Sequence, residues 1–196
     1  MPTRLRLAAS LVATMLVAGG AALTGCAPVV VVAGVGAGYM VATDRRSTGA
    51  QVDDESIEIK VAKTASDRWS NVVHLNVTSY NGVVLLTGEA PTLEVQDEIT
   101  ELARTTDRVR TVQNDMVIGP ASGMSARTND SYITSKVKAR FVEARKFAPN
   151  HVKVVTERSV VYLVGIVTRE EGDAAAQMAA VTSGVAKVVK VFEYTN

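Results

Sequence analysis

From Leu7 to Leu23 the chain is predominantly apolar, preceded by Arg4 and Arg6 and closed by Leu23-Thr24-Gly25-Cys26. A short basic region, an apolar run and a close of small residues are the parts of a secretory signal peptide. A second uncharged stretch, Ala27 to Ala42, has sixteen residues and is rich in Gly. It falls short of the roughly 20 residues needed to span a bilayer, so a membrane-surface or domain-packing segment is expected. Its Gly34-x-Gly36-x-Gly38 lacks the strand context and third-glycine spacing of a nucleotide-binding loop. Asp44 to Gln51 is polar, contains Gly49 and reads as a linker.

Beyond residue 51 the apolar positions become periodic, and the period is used twice. Asp54, Ile57, Lys60 and Val61 recur as Asp130, Ile133, Lys136 and Val137, 76 residues on. Val83-Val84-Leu85-Leu86-Thr87-Gly88 recurs as Val160-Val161-Tyr162-Leu163-Val164-Gly165, one residue further apart. In each copy a helix is predicted first, with Asp53 or Asp54, and Asp130 or Ser131, placed to accept from free amides at its start. Ile57 and Val61, or Ile133, Val137 and Phe141, lie along its buried face. In the first copy Val72 to Thr78 and Val83 to Thr87 are β-branched runs separated by a turn with Asn81-Gly82, a hairpin signal. Thr92 to Arg104 and Glu170 to Thr182 predict a second helix, and Val112 to Ile118 and Val188 to Tyr194 a final strand. The fold class is therefore α+β: two tandem αββαβ modules, each a three-stranded mixed sheet with two helices packed on one face.

With 196 residues, 47% of them hydrophobic, the chain has room for two such small cores. Modules of about 65 residues bury limited apolar surface, so the pair is expected to pack together. Cys26 is the only cysteine, which excludes a disulfide within the chain. No Cys or His cluster has zinc-ligand spacing, and no metal site is expected. Leu23-Thr24-Gly25-Cys26 resembles the lipobox of bacterial lipoproteins. That resemblance implies cleavage before Cys26, S-diacylglycerol on its sulfur and N-acylation of the new terminus, with no other cofactor. Two or three acyl chains hold a protein to a membrane where one does so only reversibly. Ala27, in place of an inner-membrane-retaining Asp, fits sorting to the outer membrane.

Leu85-x-x-Gly88 and Leu163-x-Gly165, each followed by a predicted helix and a Val-x-x-Val strand, resemble the BON domain of bacterial envelope proteins. Ala42-Thr43-Asp44-Arg45-Arg46, Gln51-Val52-Asp53-Asp54 and Asn129-Asp130-Ser131-Tyr132-Ile133-Thr134-Ser135-Lys136-Val137 extend the resemblance to dual-BON outer-membrane lipoproteins. The implied organisation is a signal peptide over 1–25, a lipidated tether over 26–51, BON domains over 52–118 and 129–196, and a linker over 119–128. The implied location is the outer membrane, lipid-anchored, with the domains facing the periplasm. The resemblance further implies that the first helix of the second domain binds anionic phospholipid, through Tyr132, Ser135, Lys136, Ala139 and Arg140. It also implies support of envelope integrity at the division site, with outer-membrane assembly or septal wall-remodelling proteins as partners. The family commonly carries Trp where this chain has Tyr132, a smaller ring with a polar tip.

Charge agrees with that division of labour. Residues 52–118 carry six Lys and Arg against twelve Asp and Glu, a net of −6; residues 124–196 carry eleven against seven, a net of +4. Lys136, Lys138, Arg140, Arg145 and Lys146 crowd the first helix of the second copy, which suits an anionic surface. The bland reading of this cluster is a solvated helix face. Docking of an acidic domain on a basic one would also cover part of it. Nucleic acid is a poor partner for an exported chain with little aromatic interleaving. A periplasmic protein-interaction or chaperone-like module is the alternative, resembling soluble dual-BON stress proteins. His74 and His151 read as surface histidines, Trp69 as a packing residue in a loop, and Glu170, Glu171 and Asp173 as helix-start charges. Gly88 and Gly165 read as structural glycines. No nucleophile elbow, metal motif or phosphate loop is present, and no enzymatic activity is expected.

Overall fold

The computed structural model describes residues 44–70 and 72–195; the expected signal peptide, Cys26 and the Ala27 to Ala42 segment lie outside the described residues. The first copy runs α1 (Thr48–Trp69), β1 (His74–Tyr80), β2 (Val83–Ala90), α2 (Leu93–Thr105), β3 (Thr111–Asn114) and β4 (Val117–Ile118). The second runs α3 (Met124–Ala144), β5 (Val152–Glu157), β6 (Val160–Val167), α4 (Arg169–Ala180) and β7 (Lys187–Tyr194), with a single 3-10 turn at Pro149–His151 before β5. The order αββαβ occurs twice, as the repeat predicts.

Both first helices start earlier than their acidic residues suggest. Ser47 caps α1, its Oγ accepting from the Ala50 amide at 3.1 Å, and α3 starts behind Gly123, so residues 124–128 of the expected linker are helical. Asp54 and Asp130 therefore lie inside helices and are buried. Their carboxylates cap the hairpin turns instead. Asp54 accepts from the Asn81 and Gly82 amides at 2.7 and 2.9 Å, and Asp130 from the Arg158 and Ser159 amides, both at 2.9 Å. Each turn has two consecutive residues at positive φ, Asn81-Gly82 and Arg158-Ser159, the type I′ pattern that matches strand twist. In the second copy neither residue is glycine. A left-handed L-residue costs roughly 1–2 kcal/mol, and charge-assisted bonds from one buried carboxylate to both turn amides offset it.

In each sheet the central strand is antiparallel to its hairpin partner and parallel to the final strand, with α2 or α4 as the crossover that parallel pairing requires. The expected strand Val112 to Ile118 is split. Asn114 Oδ1 accepts from the Met116 amide at 2.9 Å, breaking the ladder between β3 and β4 while both still pair with β2. The helices cover one sheet face: Ile57, Val61, Ile99 and Ala103 pack on Val84 and Leu86, and Ile133, Val137, Phe141, Ala175 and Ala179 on Val161 and Leu163. Trp69, in the last turn of α1 and not in a loop, packs against the first of these cores.

The opposite faces meet each other. Tyr80 and Leu85 of the first sheet cluster with Tyr162, Val164 and Val191 of the second, giving layers in the order helix, sheet, sheet, helix. Val83 to Leu86 and Val160 to Val164 are unbroken apolar runs because both faces of these central strands are covered. Ion pairs rim the contact, Lys153 with Glu58 at 2.5 Å and Arg110 with Glu193 at 3.1 Å.

Asp44 to Ser47, expected as linker, is a strap across both domains. Arg46 reaches Asp54 at 3.0 Å and lies 3.9 Å over the Tyr80 ring, while Arg45 grips Glu171 of the second domain through two bonds of 2.6 and 3.0 Å. Its polar composition reads as a linker because the contact that closes it, Arg45 with Glu171, spans 126 residues of sequence, although Asp44 pairs locally with Arg46. Burial works to raise the Glu171 carboxyl, but the Arg45 guanidinium and the Thr168 amide outweigh it and hold it below the usual carboxylate range. Asp44 is likewise pushed up by burial and held lower overall by Arg46. A carboxyl whose pKa falls on folding adds stability above its unfolded value and loses it as pH drops through the folded one. The strap is therefore expected to stay closed at neutral pH and release below about pH 4, where even unperturbed carboxylates protonate. The Arg45 guanidinium NMR resonance checks this: a signal that already has its solvent-exposed position at pH 7 means that the strap is not closed.

Candidate functional site

The face in question is built by α3. Ile133, Val137 and Phe141, at i, i+4 and i+8, are fully buried and fix the helix by its apolar stripe. Tyr132, Ser135, Ala139 and Arg140 are exposed, Tyr132 to 62%. Lys136 is half-buried. Its Nζ lies 4.6 Å from the centre of the Tyr132 ring and donates to the Ser183 carbonyl. The five residues singled out in the sequence thus share the solvent side of one helix, although the Ser135 hydroxyl is turned back to the Ser131 carbonyl at 3.0 Å.

Sequence reasoning missed the second element of this face, the turn between α4 and β7. Gly184 there is pressed against α3 so closely that an added Cβ would stand 3.1 Å from Ile133 Cγ1 and 3.5 Å from Lys136 Nζ. The same turn carries Val181, 68% exposed at the C-terminus of α4. The docking of this turn on α3 brings the Ser183 carbonyl to Lys136 Nζ, a contact that no sequence spacing announces.

The basic cluster is not consumed by domain packing. Lys138, Arg140, Arg145 and Lys146 form no ion pair among the described residues, whereas the basic residues that reach the first domain are Lys153 on β5 and Arg158 in the β5–β6 turn. Docking of the acidic domain uses the sheet face of the second domain and leaves the helix face open. The two histidines are not surface residues. His151 is buried with Nδ1 3.4 Å from Glu171, and His74 is half-buried with Nε2 3.5 Å from Glu157. Glu171 belongs to a capping box with Thr168 at the start of α4, in line with a helix-start charge.

An aromatic ring at the surface, with a lysine over it and an arginine one turn on, can insert apolar atoms at headgroup depth while cations meet phosphate. No helix among the described residues is long and apolar enough to cross a membrane.

The family model for the BON domain matches residues 53–120 and 129–196. The chain is 40% identical over 178 residues, 89% of its own length and 91% of the relative's, to the outer membrane lipoprotein DolP of Haemophilus influenzae. It is 37% identical over 155 residues, 78% of this chain and 80% of the other, to the 21 kDa hemolysin of Actinobacillus pleuropneumoniae. Osmotically-inducible protein Y of Escherichia coli is similar at 28% identity over 194 residues, 95% of each chain.

Proposed function

The chain belongs to the BON-domain family, and from that membership together with the α3 face we propose an outer-membrane lipoprotein that binds anionic phospholipid and supports envelope integrity. In this reading Cys26 carries the anchoring lipid and both domains face the periplasm. The observation that carries it is the exposed Tyr132 ring held under Lys136, on a helix whose remaining cations have no carboxylate partner among the described residues. The lipid on Cys26 supplies attachment, and the α3 face supplies preference for anionic patches such as those at a division site. Neither role needs a reacting group.

The test uses the mature chain with Cys26→Ser, so that binding reports the domain surface alone. Co-sedimentation is expected with vesicles containing phosphatidylglycerol and not with pure phosphatidylcholine. Tyr132→Ala is expected to weaken binding by about tenfold, since withdrawing one aromatic ring from an apolar environment costs on the order of 1.5 kcal/mol. Tyr132→Trp is expected to strengthen it. Equal binding to both vesicle types, or indifference to Tyr132→Ala, removes the assignment.

A further inference from the structure

Away from the α3 face, the junction of the two sheets buries a cluster that no sequence spacing announces. His74 opens β1 and pairs in register with Glu89 near the end of β2, so both side chains leave the first sheet on the side facing the second domain. Glu157, at the end of β5, comes from that second domain. One ligand atom from each of His74, Glu89 and Glu157 lies within 4.8 Å of the other two. Glu89 has no exposed surface, its Oε2 accepts from the Ser122 amide at 3.0 Å, and its Oε1 is buried without a hydrogen-bond partner. Thr87 Oγ1, two residues back on the same face of β2, is likewise buried without one.

The second copy shows that the fold does not need these carboxylates. By the offset of 77 that aligns the two hairpins, His74 corresponds to His151, but Glu89 corresponds to Ile166 and Glu157 to Tyr80 of the first copy. Burying two carboxylates side by side costs several kcal/mol each unless a compact positive charge compensates them. Arg158 is the cation at hand, its Nη1 3.6 Å from Glu89 Oε1, beyond hydrogen-bond length, on a side chain that is 57% exposed. It balances one carboxylate from the edge, on a side chain that solvent can draw away.

We propose that His74 Nε2, Glu89 Oε1 and Glu157 Oε2 form a binding site for a divalent transition-metal cation of the Zn2+ or Mn2+ class, tying the two domains together. One imidazole and two carboxylates are a nitrogen and oxygen donor set that such ions accept. Bonds of about 2.0–2.2 Å place tetrahedral ligands a little over 3 Å apart, close to the 3.5 Å already separating His74 Nε2 from Glu157 Oε2. Rotation of side chains closes the set, and the exposed Arg158 swings outward. With His74 neutral, two carboxylates and a dication sum to zero charge in a buried place.

The experiment is calorimetric titration of the chelator-stripped, full-length protein in detergent micelles with Zn2+ and, separately, Mn2+. One equivalent is expected to bind and to raise the thermal midpoint. Glu89→Gln, which keeps the volume, and His74→Asn are each expected to weaken binding at least about tenfold, and His151→Asn to leave it unchanged. Arg158→Ala is expected to tighten it by removing the competing cation. Absence of binding by the unaltered protein overturns the site, even if Arg158→Ala then binds, because Arg158 is in that case the resident cation. Binding that survives both Glu89→Gln and His74→Asn also overturns it. Misfolding of one variant does not blur the result, since the unaltered protein and Arg158→Ala are read independently.

Discussion

Gly88→Ala is expected to cost about 3–5 kcal/mol, a large part of the 5–15 kcal/mol by which domains are usually stable. Two effects add. A Cβ at Gly88 would stand 2.1 Å from the His74 carbonyl oxygen and 2.9 Å from its carbon, backbone atoms of the paired strand that cannot rotate away. Gly88 is also at φ +115°, where a side chain strains the backbone by roughly 1–3 kcal/mol, and overpacking of a fixed neighbour adds about 1–3 kcal/mol. Gly165 separates the two contributions. Its Cβ would meet the His151 carbonyl at the same 2.1 Å, but its φ lies outside the left-handed range. Gly165→Ala is therefore expected to be the milder change by the conformational share alone. Thermal unfolding decides it: at roughly 2–4 °C per kcal/mol for a protein of this size, the midpoint of Gly88→Ala should fall by about 6–20 °C. Equal losses for the two variants would mean that the close approach acts alone.

The same pair of glycines shows what could be read from the residues. The repeat of Val83 to Gly88 as Val160 to Gly165 located both hairpins and a glycine at the same place in each, because strand periodicity and close backbone approach leave local marks. Asp54 and Asp130 recurred just as visibly, yet their role was misplaced. A carboxylate before an apolar helical stripe looks like a helix cap, and only the folding of the hairpin back onto α1 or α3 presents it with the Asn81-Gly82 or Arg158-Ser159 amides. The strap at Asp44 to Ser47 and the cluster of His74, Glu89 and Glu157 stayed hidden for the same reason. Their partners sit 126 residues away for Arg45, and across the domain contact for Glu157. On α3 the helical period is enough to group Tyr132, Lys136 and Arg140, whereas Ser183 and Gly184 reach this helix only once the turn before β7 is packed in place.

Reversing charge at Lys136 and Arg140 together is expected to have the largest effect on membrane binding, a loss of about two to three orders of magnitude. Each basic side chain near an anionic leaflet contributes on the order of 1 kcal/mol, and replacing it by glutamate removes that and adds repulsion of similar size. Two sites then amount to about 4 kcal/mol before screening, and 1.4 kcal/mol is a factor of ten. The effect must be distinguished from a change in net charge. Lys63→Glu with Arg104→Glu makes the same change on exposed residues of the first domain, each already beside a carboxylate on its own helix. If α3 is the contact face, the first-domain pair should retain most of the affinity for phosphatidylglycerol vesicles while the α3 pair loses it. Raising salt separates the mechanisms further, because screening acts on exposed charges within a Debye length of about 8–10 Å. The unaltered protein should weaken steadily with added salt toward the level of the α3 variant, whose residual binding should vary little. The Tyr132 ring supplies that residue of affinity, so a salt-insensitive remainder that vanishes in Tyr132→Ala would tie the apolar and ionic halves of the face to one surface. Equal losses from the two charge pairs would instead make binding a property of overall charge, and α3 would no longer be the site.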